Sequence, residues 1–179
     1  MSFAFIEDLA FMSKKAFGSA SILIAEDDDS NRKVTSAMLK RLGYRADVVS
    51  NGRDAILALK CQHYDIILMN LNMPEMDGFE ATREIRRSCP PALQPTIIAL
   101  TACILPNSRE LCIEAGMNDF MSKPFKVDEL AQVLSKHMRI RERKTAFMEL
   151  HEEVTRTLDS LPKRGKLRLS LRQNQYLQN

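Results

Sequence analysis

The sequence predicts an α/β fold, a five-stranded parallel sheet with helices packed on both faces. Five apolar runs of four to six residues alternate with five amphipathic stretches, the pattern of a sheet whose strands are joined by helices. The first, third and fourth runs are almost continuously apolar, as strands buried on both faces must be. Polar residues gather where the runs stop, and in open parallel sheets the working groups lie beyond the carboxyl ends of the strands.

Residues 21–25 (SILIA) form the first strand, halted by Glu26, Asp27, Asp28 and Asp29. A helix follows, with Val34, Met38 and Leu42 expected on one apolar stripe and Gly43 placed for a left-handed cap. Residues 44–49 are the second strand. Asn51-Gly52 opens the second helix, whose apolar face is Ala55, Ile56 and Leu59. The third strand, residues 65–69 (DIILM), runs into a loop with Pro74, Asp77 and Gly78, after which Phe79, Thr82 and Ile85 line a third helix. A proline-bearing linker at 88–95 leads to the fourth strand at 96–100. A helix over 107–115 ends at Gly116, residues 118–122 make the fifth strand, and a fifth helix runs from Lys126 into the neighbourhood of His137.

With 179 residues, 45% hydrophobic and 27% charged, the chain is expected to hold one globular domain and two extensions. The expected divisions are a helical extension at 1–20, the α/β domain at 21–138, and a helical and basic extension at 139–179. The uncharged run 88–108 is broken by Pro90, Pro91, Pro95 and Pro106, so it is no membrane helix. Glu7 and Asp8 arrive before an apolar signal region can develop, so the expectation is a cytoplasmic protein without membrane association. Cys61, Cys89, Cys103 and Cys112 lack a C-x-x-C spacing, and all four are expected to be reduced packing residues. Residues 1–138 hold 16 basic and 18 acidic side chains, whereas 139–179 hold 10 and 5, so the net charge of +3 comes from the tail.

The strand ends collect Glu26, Asp27, Asn70, Thr101 and Lys123 at one site. Carboxylates beside a lysine and a hydroxyl suit a hard divalent cation and a phosphoryl group. Mg²⁺ takes oxygen ligands and keeps several waters, a lysine is a point charge for phosphate oxygens, and the Thr101 hydroxyl can donate to another. There is no G-x-x-x-x-G-K-[ST] loop, which excludes a nucleotide-binding P-loop. Either acid alone would also suit the N-terminus of the next helix.

Four segments, ILIAEDDDSNRKV, YDIILMNLNMPEMDGFEATREIR, IIALTA and DFMSKPF, are similar in order and spacing to the receiver domain of two-component response regulators. The resemblance is strongest to receivers of hybrid histidine kinases. It covers residues 22 to 136 or so and implies a flavodoxin-like, doubly wound five-stranded parallel sheet of order 2-1-3-4-5. It also implies a metal set of Glu26, Asp27, position 70 and Asn72, phosphate and switch residues Thr101, Lys123 and Phe120, and a cis Lys123–Pro124 bond. In the family an aspartate at the end of the third strand accepts the phosphoryl group, and here that position is Asn70. An amide has no anionic oxygen with which to attack phosphorus, and the change removes one of three metal carboxylates. The expectation is therefore a receiver that cannot accept phosphate, binds Mg²⁺ weakly and is not an enzyme. Asn70 would mark either a natural pseudo-receiver or a chain in which the acceptor was replaced. At Phe120 a phenyl ring without the tyrosine hydroxyl leaves only a steric switch.

Phe3, Ile6, Leu9, Ala10 and Phe11 fit a short N-terminal helix. Phe147, Leu150, Val154, Leu158 and Leu161 recur at helical spacing, so the fifth helix is expected to continue or be followed by another, covered by a second copy or by the body. The partners implied are a histidine kinase or phosphotransfer protein, with a homodimer or another protein contact. The alternative is a DNA-binding transcriptional regulator using the basic tail beyond Pro162, although no helix-turn-helix is recognisable there.

Overall fold

A computed structural model of the chain describes residues 20–102 and 108–160. In chain order the elements are β1 (Ile22–Ala25), α1 (Asp29–Arg41), β2 (Ala46–Val49), α2 (Gly52–Cys61), β3 (Ile66–Asn70), α3 (Gly78–Ser88), a 3₁₀ turn (Pro91–Leu93), β4 (Thr96–Thr101), α4 (Ser108–Glu114), β5 (Asp119–Ser122) and α5 (Val127–Ser160). The five strands form one sheet of order β2-β1-β3-β4-β5, as the resemblance implies. Every neighbouring pair is parallel. β1 and β3 lie inside the sheet and are buried at every residue, which is why their sequences are unbroken apolar runs. β2 is an edge strand, and Asp47 and Val48 are exposed on it. Among the described residues, no helix is long and apolar enough to cross a membrane.

The helix starts follow their caps. Asp28, Asn51 and Asp77 each accept a hydrogen bond from the backbone N–H three residues on, opening α1, α2 and α3. Gly43 and Gly116 have φ of +88° and +95° and close α1 and α4, as expected of both. The stripe expected on α1 is corrected: Thr35 and Leu39 are its buried residues, while Val34 is 53% exposed and Met38 and Leu42 sit at the margin. Residues four apart drift by about 40° per step on a helix, so Val34, Met38 and Leu42 wind around the flank of the buried face. The cysteine expectation also needs correction, since Cys112 is buried and Cys89 half-buried but Cys61 is exposed. Cys103, the N-terminal helix and the tail beyond Ser160 lie outside the described residues.

The chain divides into two compact units, Met1–Leu134 and Ser135–Asn179. In the first, Leu130 and Leu134 of α5 are fully buried. In the second, α5 continues without a break to Ser160, the first of the two arrangements expected for this region.

Arg86 fastens α3 to the sheet in a way the sequence did not announce. Its Nε donates to the Gly116 carbonyl at 2.7 Å, Nη1 to the Pro95 carbonyl at 2.9 Å and Nη2 to Asn118 Oδ1 at 2.7 Å. Asn118 Oδ1 also accepts from the Ile97 N–H, so one side chain sets the approach to both β4 and β5. Burial lowers the Arg86 pKa from its ordinary value. Replacing it by Met keeps the stem but removes a donor from each of three acceptors, of which Asn118 Oδ1 keeps the Ile97 N–H. Arg86→Met is therefore expected to lower unfolding stability by about 2 kcal/mol, read from the urea midpoint. An unchanged midpoint would mean that these bonds contribute nothing net.

Candidate functional site

The strand registers level the carboxyl ends of the sheet. Ala25 pairs with Met69, Asn70 with Leu100 and Thr101 with Ser122, so the residues following β1, ending β3 and β4, and following β5 share one edge. Glu26 continues the line of β1, its N–H donating to the Val49 carbonyl at 3.0 Å. The chain then turns into α1, and Arg32 reaches back to hold the turn. Its Nη1 donates to the Glu26 carbonyl at 2.8 Å and to the Asp27 carbonyl at 2.9 Å. Asn31 Nδ2 donates to Glu26 Oε1 at 3.3 Å. Neither Asn31 nor Arg32 was among the expected site residues. The available signal was a cation near a helix N-terminus, where the helix dipole disfavours it unless acids engage it.

Asn70 stands at the centre. Its Nδ2 donates to Asp27 Oδ1 at 2.8 Å, to the Asn72 carbonyl at 2.9 Å and to Glu26 Oε1 at 3.2 Å. Its Oδ1 accepts from Lys123 Nζ at 3.2 Å. The surrounding charges dictate this orientation of the amide. Reversed, it would turn an oxygen toward two carboxylates and an NH₂ toward an ammonium. Lys123 Nζ also forms a close ion pair with Glu26 Oε2, and Glu26 is only 1% exposed. Both oxygens of this buried carboxylate are thus satisfied, the condition under which a buried charge is tolerated. Lys123 offsets Glu26, Asp27 accepts from the Asn70 amide, and the Arg32 guanidinium, bonded to the carbonyls of both acids, is a second cation beside them.

The loop after β3 is pressed close. The Gly78 N–H donates to the Leu71 carbonyl at 2.9 Å, and a Cβ on Gly78 would lie 2.3 Å from the Asn70 carbonyl oxygen. Only glycine lets the first turn of α3 lie this near the end of β3.

Of the expected residues, Glu26, Asp27, Asn70 and Lys123 are joined directly through their side chains. Asn72 takes part through its backbone carbonyl, and its side chain is exposed. Thr101 is buried at the end of β4, its carbonyl accepting from the Lys123 N–H at 2.6 Å. Phe120 lies opposite Ala99, two positions before the Thr101 level, and packs against the core cluster with the Arg109 guanidinium 5.9 Å from its ring centre. The Lys123–Pro124 peptide is cis. Among the described residues, no three Asp, Glu, His or Cys side chains are grouped to hold a metal ion. A separate concavity lined by Ile56, Leu59, Cys61, His63, Ile85 and Leu93 lies at the C-terminal ends of α2 and α3 and includes none of the expected site residues.

Chemically, the amide nitrogen occupies the point on which two carboxylates and a carbonyl converge. Those are the kinds of oxygen that bind Mg²⁺, and here they receive N–H hydrogens instead. The atom of Asn70 facing Lys123 is a neutral amide oxygen. Position 70 itself carries no anionic nucleophile.

Comparison with known proteins yields a consistent set of relatives. A family model described as the response regulator receiver domain matches residues 22–135. The chain is 44% identical over 128 residues to "Hybrid signal transduction histidine kinase B" of Dictyostelium discoideum, covering 65% of this chain and 6% of that protein. It is 39% identical over 127 residues to "Histidine protein kinase 1" of Candida albicans, covering 64% of this chain and 5% of the relative. The chain thus spans a small fraction of these curated relatives. Among solved structures, the receiver domain of a sensor histidine kinase from Pseudomonas aeruginosa, with a magnesium ion coordinated in its active-site cleft, is 44% identical. The match has a TM-score of 0.61 and covers 66% of this chain and 97% of that one. The signal receiver domain of a histidine kinase from Syntrophus aciditrophicus is 31% identical with a TM-score of 0.61, over 68% and 91% of the two chains.

Proposed function

Because this chain belongs to the response regulator receiver family, we propose that it is a cytoplasmic receiver module of a two-component phosphorelay that cannot accept a phosphoryl group and acts by protein contact. Its receiver portion is residues 21–138. Its partner is a histidine kinase or phosphotransfer protein of the kind that receivers meet in hybrid kinases. In this reading it is a signalling module and not an enzyme. Asn70 holds the acceptor position, Thr101 and Lys123 are the phosphate-facing groups, and Phe120 is the aromatic whose packing reports on Thr101.

The observation that carries this reading is the bonding of Asn70. Its nitrogen is tied to Asp27, Glu26 and the Asn72 carbonyl, and its oxygen to Lys123. A magnesium ion would be held by Glu26, Asp27 and the Asn72 carbonyl. To enter, it must displace the amide hydrogens, and it gains no third carboxylate in return, so its binding is weak. Incubation with acetyl phosphate and Mg²⁺ is expected to leave the intact mass unchanged. A gain of one phosphoryl group, removed by hydroxylamine as an acyl phosphate would be, contradicts the proposal.

A further inference from the structure

The part of α5 beyond Met138 presents apolar side chains to solvent, with Ile140 52%, Leu150 59% and Val154 44% exposed. Ile140, Phe147 and Val154 recur every seventh residue, the repeat that lets one helix lie along another, and Leu150 follows Phe147 by three. The same stretch divides by charge. Residues 139–144 (RIRERK) carry four basic side chains and one acidic, while residues 149–153 (ELHEE) carry three acidic and no Lys or Arg. Arg139, Arg143, Glu149 and Glu153 are all exposed.

We propose that this segment pairs antiparallel with the same segment of a second copy of the chain. The charge division selects both the occupant and the direction. With two copies antiparallel, the basic half of each faces the acidic half of the other and the apolar repeat is shielded between them. With two copies parallel, Arg143 would meet its own counterpart near the seam and the basic half of each copy would lie along the basic half of the other, so like charges would be stacked along the contact. The proposal uses no residue of the acceptor centre, so it stands or falls apart from the function proposed above.

Sedimentation of the full chain tests it. The expected result is a dimer whose dissociation rises with salt, because screening removes the attraction between unlike halves; at 1 M the Debye length is only about 3 Å. R139E/R143E makes both halves acidic and E149K/E153K makes both basic. Each variant alone is expected to be monomeric, and an equimolar mixture is expected to recover the dimer, which also shows that neither variant has simply misfolded. L150K/V154K is expected to be monomeric with an unchanged circular dichroism spectrum below the dimer concentration. A wild-type chain that stays monomeric at its highest soluble concentration overturns the proposal and leaves the face to a different protein. A dimer that tightens with salt, or that R139E/R143E leaves intact, overturns the antiparallel arrangement. A dimer that survives L150K/V154K lies at some other surface and overturns it as well.

Discussion

Asn70→Asp is expected to turn a chain that takes up no phosphoryl group into one that gains one from acetyl phosphate. On the function proposed, the rest of the centre keeps the groups the reaction would use. Lys123 points at the side-chain oxygen of residue 70, 3.2 Å away, and Glu26 and Asp27 converge from the other side. An aspartate places an anionic oxygen there, able to attack phosphorus while acetate leaves, with Lys123 beside the phosphate oxygens. The same change removes the two amide hydrogens that Glu26, Asp27 and the Asn72 carbonyl now share. Three carboxylates then crowd together beside Lys123, a repulsion that a bound divalent cation relieves. The variant without metal is expected to melt lower than wild type, by a stability difference of about 1–3 kcal/mol, and to regain that stability on adding Mg²⁺. Wild-type melting is expected to respond little to Mg²⁺. A well-folded Asn70→Asp protein that binds Mg²⁺ no better and stays unphosphorylated would show that the defect extends beyond residue 70.

The second large effect is expected at Gly78. A Cβ there would sit 2.3 Å from the Asn70 carbonyl oxygen, 3.1 Å from Leu71 Cα and 3.1 Å from Met69 Cγ, and two of the three are backbone atoms that cannot swing aside. Gly78→Val must therefore push α3 off the end of β3, at a cost of about 3 kcal/mol or more. The displacement falls on Asn70 itself and on its neighbours Met69 and Leu71. Gly43 provides the contrast. Its φ is +88° but nothing lies within 4 Å of an added Cβ, so Gly43→Ala meets only backbone strain of about 1–2 kcal/mol. Urea unfolding of the two variants is expected to show Gly78→Val with much the lower midpoint. Equal losses would mean that the close approach at Gly78 is relaxed easily.

The sequence announced the strands and the central site because both depend on contiguous residues. β1, β3 and β4 are unbroken apolar runs, and the polar residues that end them are the ones the sheet brings to one edge. The stripe on α1 was misjudged because Thr35, a polar residue, takes a buried place while Val34 beside it faces out. Neighbouring residues on a helix are separated by about 100°, so a reading by hydropathy alone turned the face by one position. At Arg32 and Arg86 the sequence marks a cation but not the partners it reaches. Four of their six guanidinium hydrogen bonds among the described residues go to backbone carbonyls, which every residue carries, and sequence does not mark the particular carbonyl a guanidinium will reach. A retrospective sign exists for Arg86, which lies seven residues after Phe79 and so close to the same line along α3. The exposure of Cys61 at the last residue of α2 likewise follows from where the helix stops, and no spacing of cysteines encodes that.

The Asn70 amide, by bonding Asp27, Glu26 and the Asn72 carbonyl together, gives the centre a built-in plug. A receiver that can be modified and unmodified conveys a message by which form it occupies, and the message can be erased within the lifetime of one molecule. On the function proposed, this chain has a single form. What it conveys is its abundance, since a module that is always ready for its partner acts by occupying that partner in proportion to the number of copies present. Its output would then be set at the level of synthesis and degradation, and would be graded with dose.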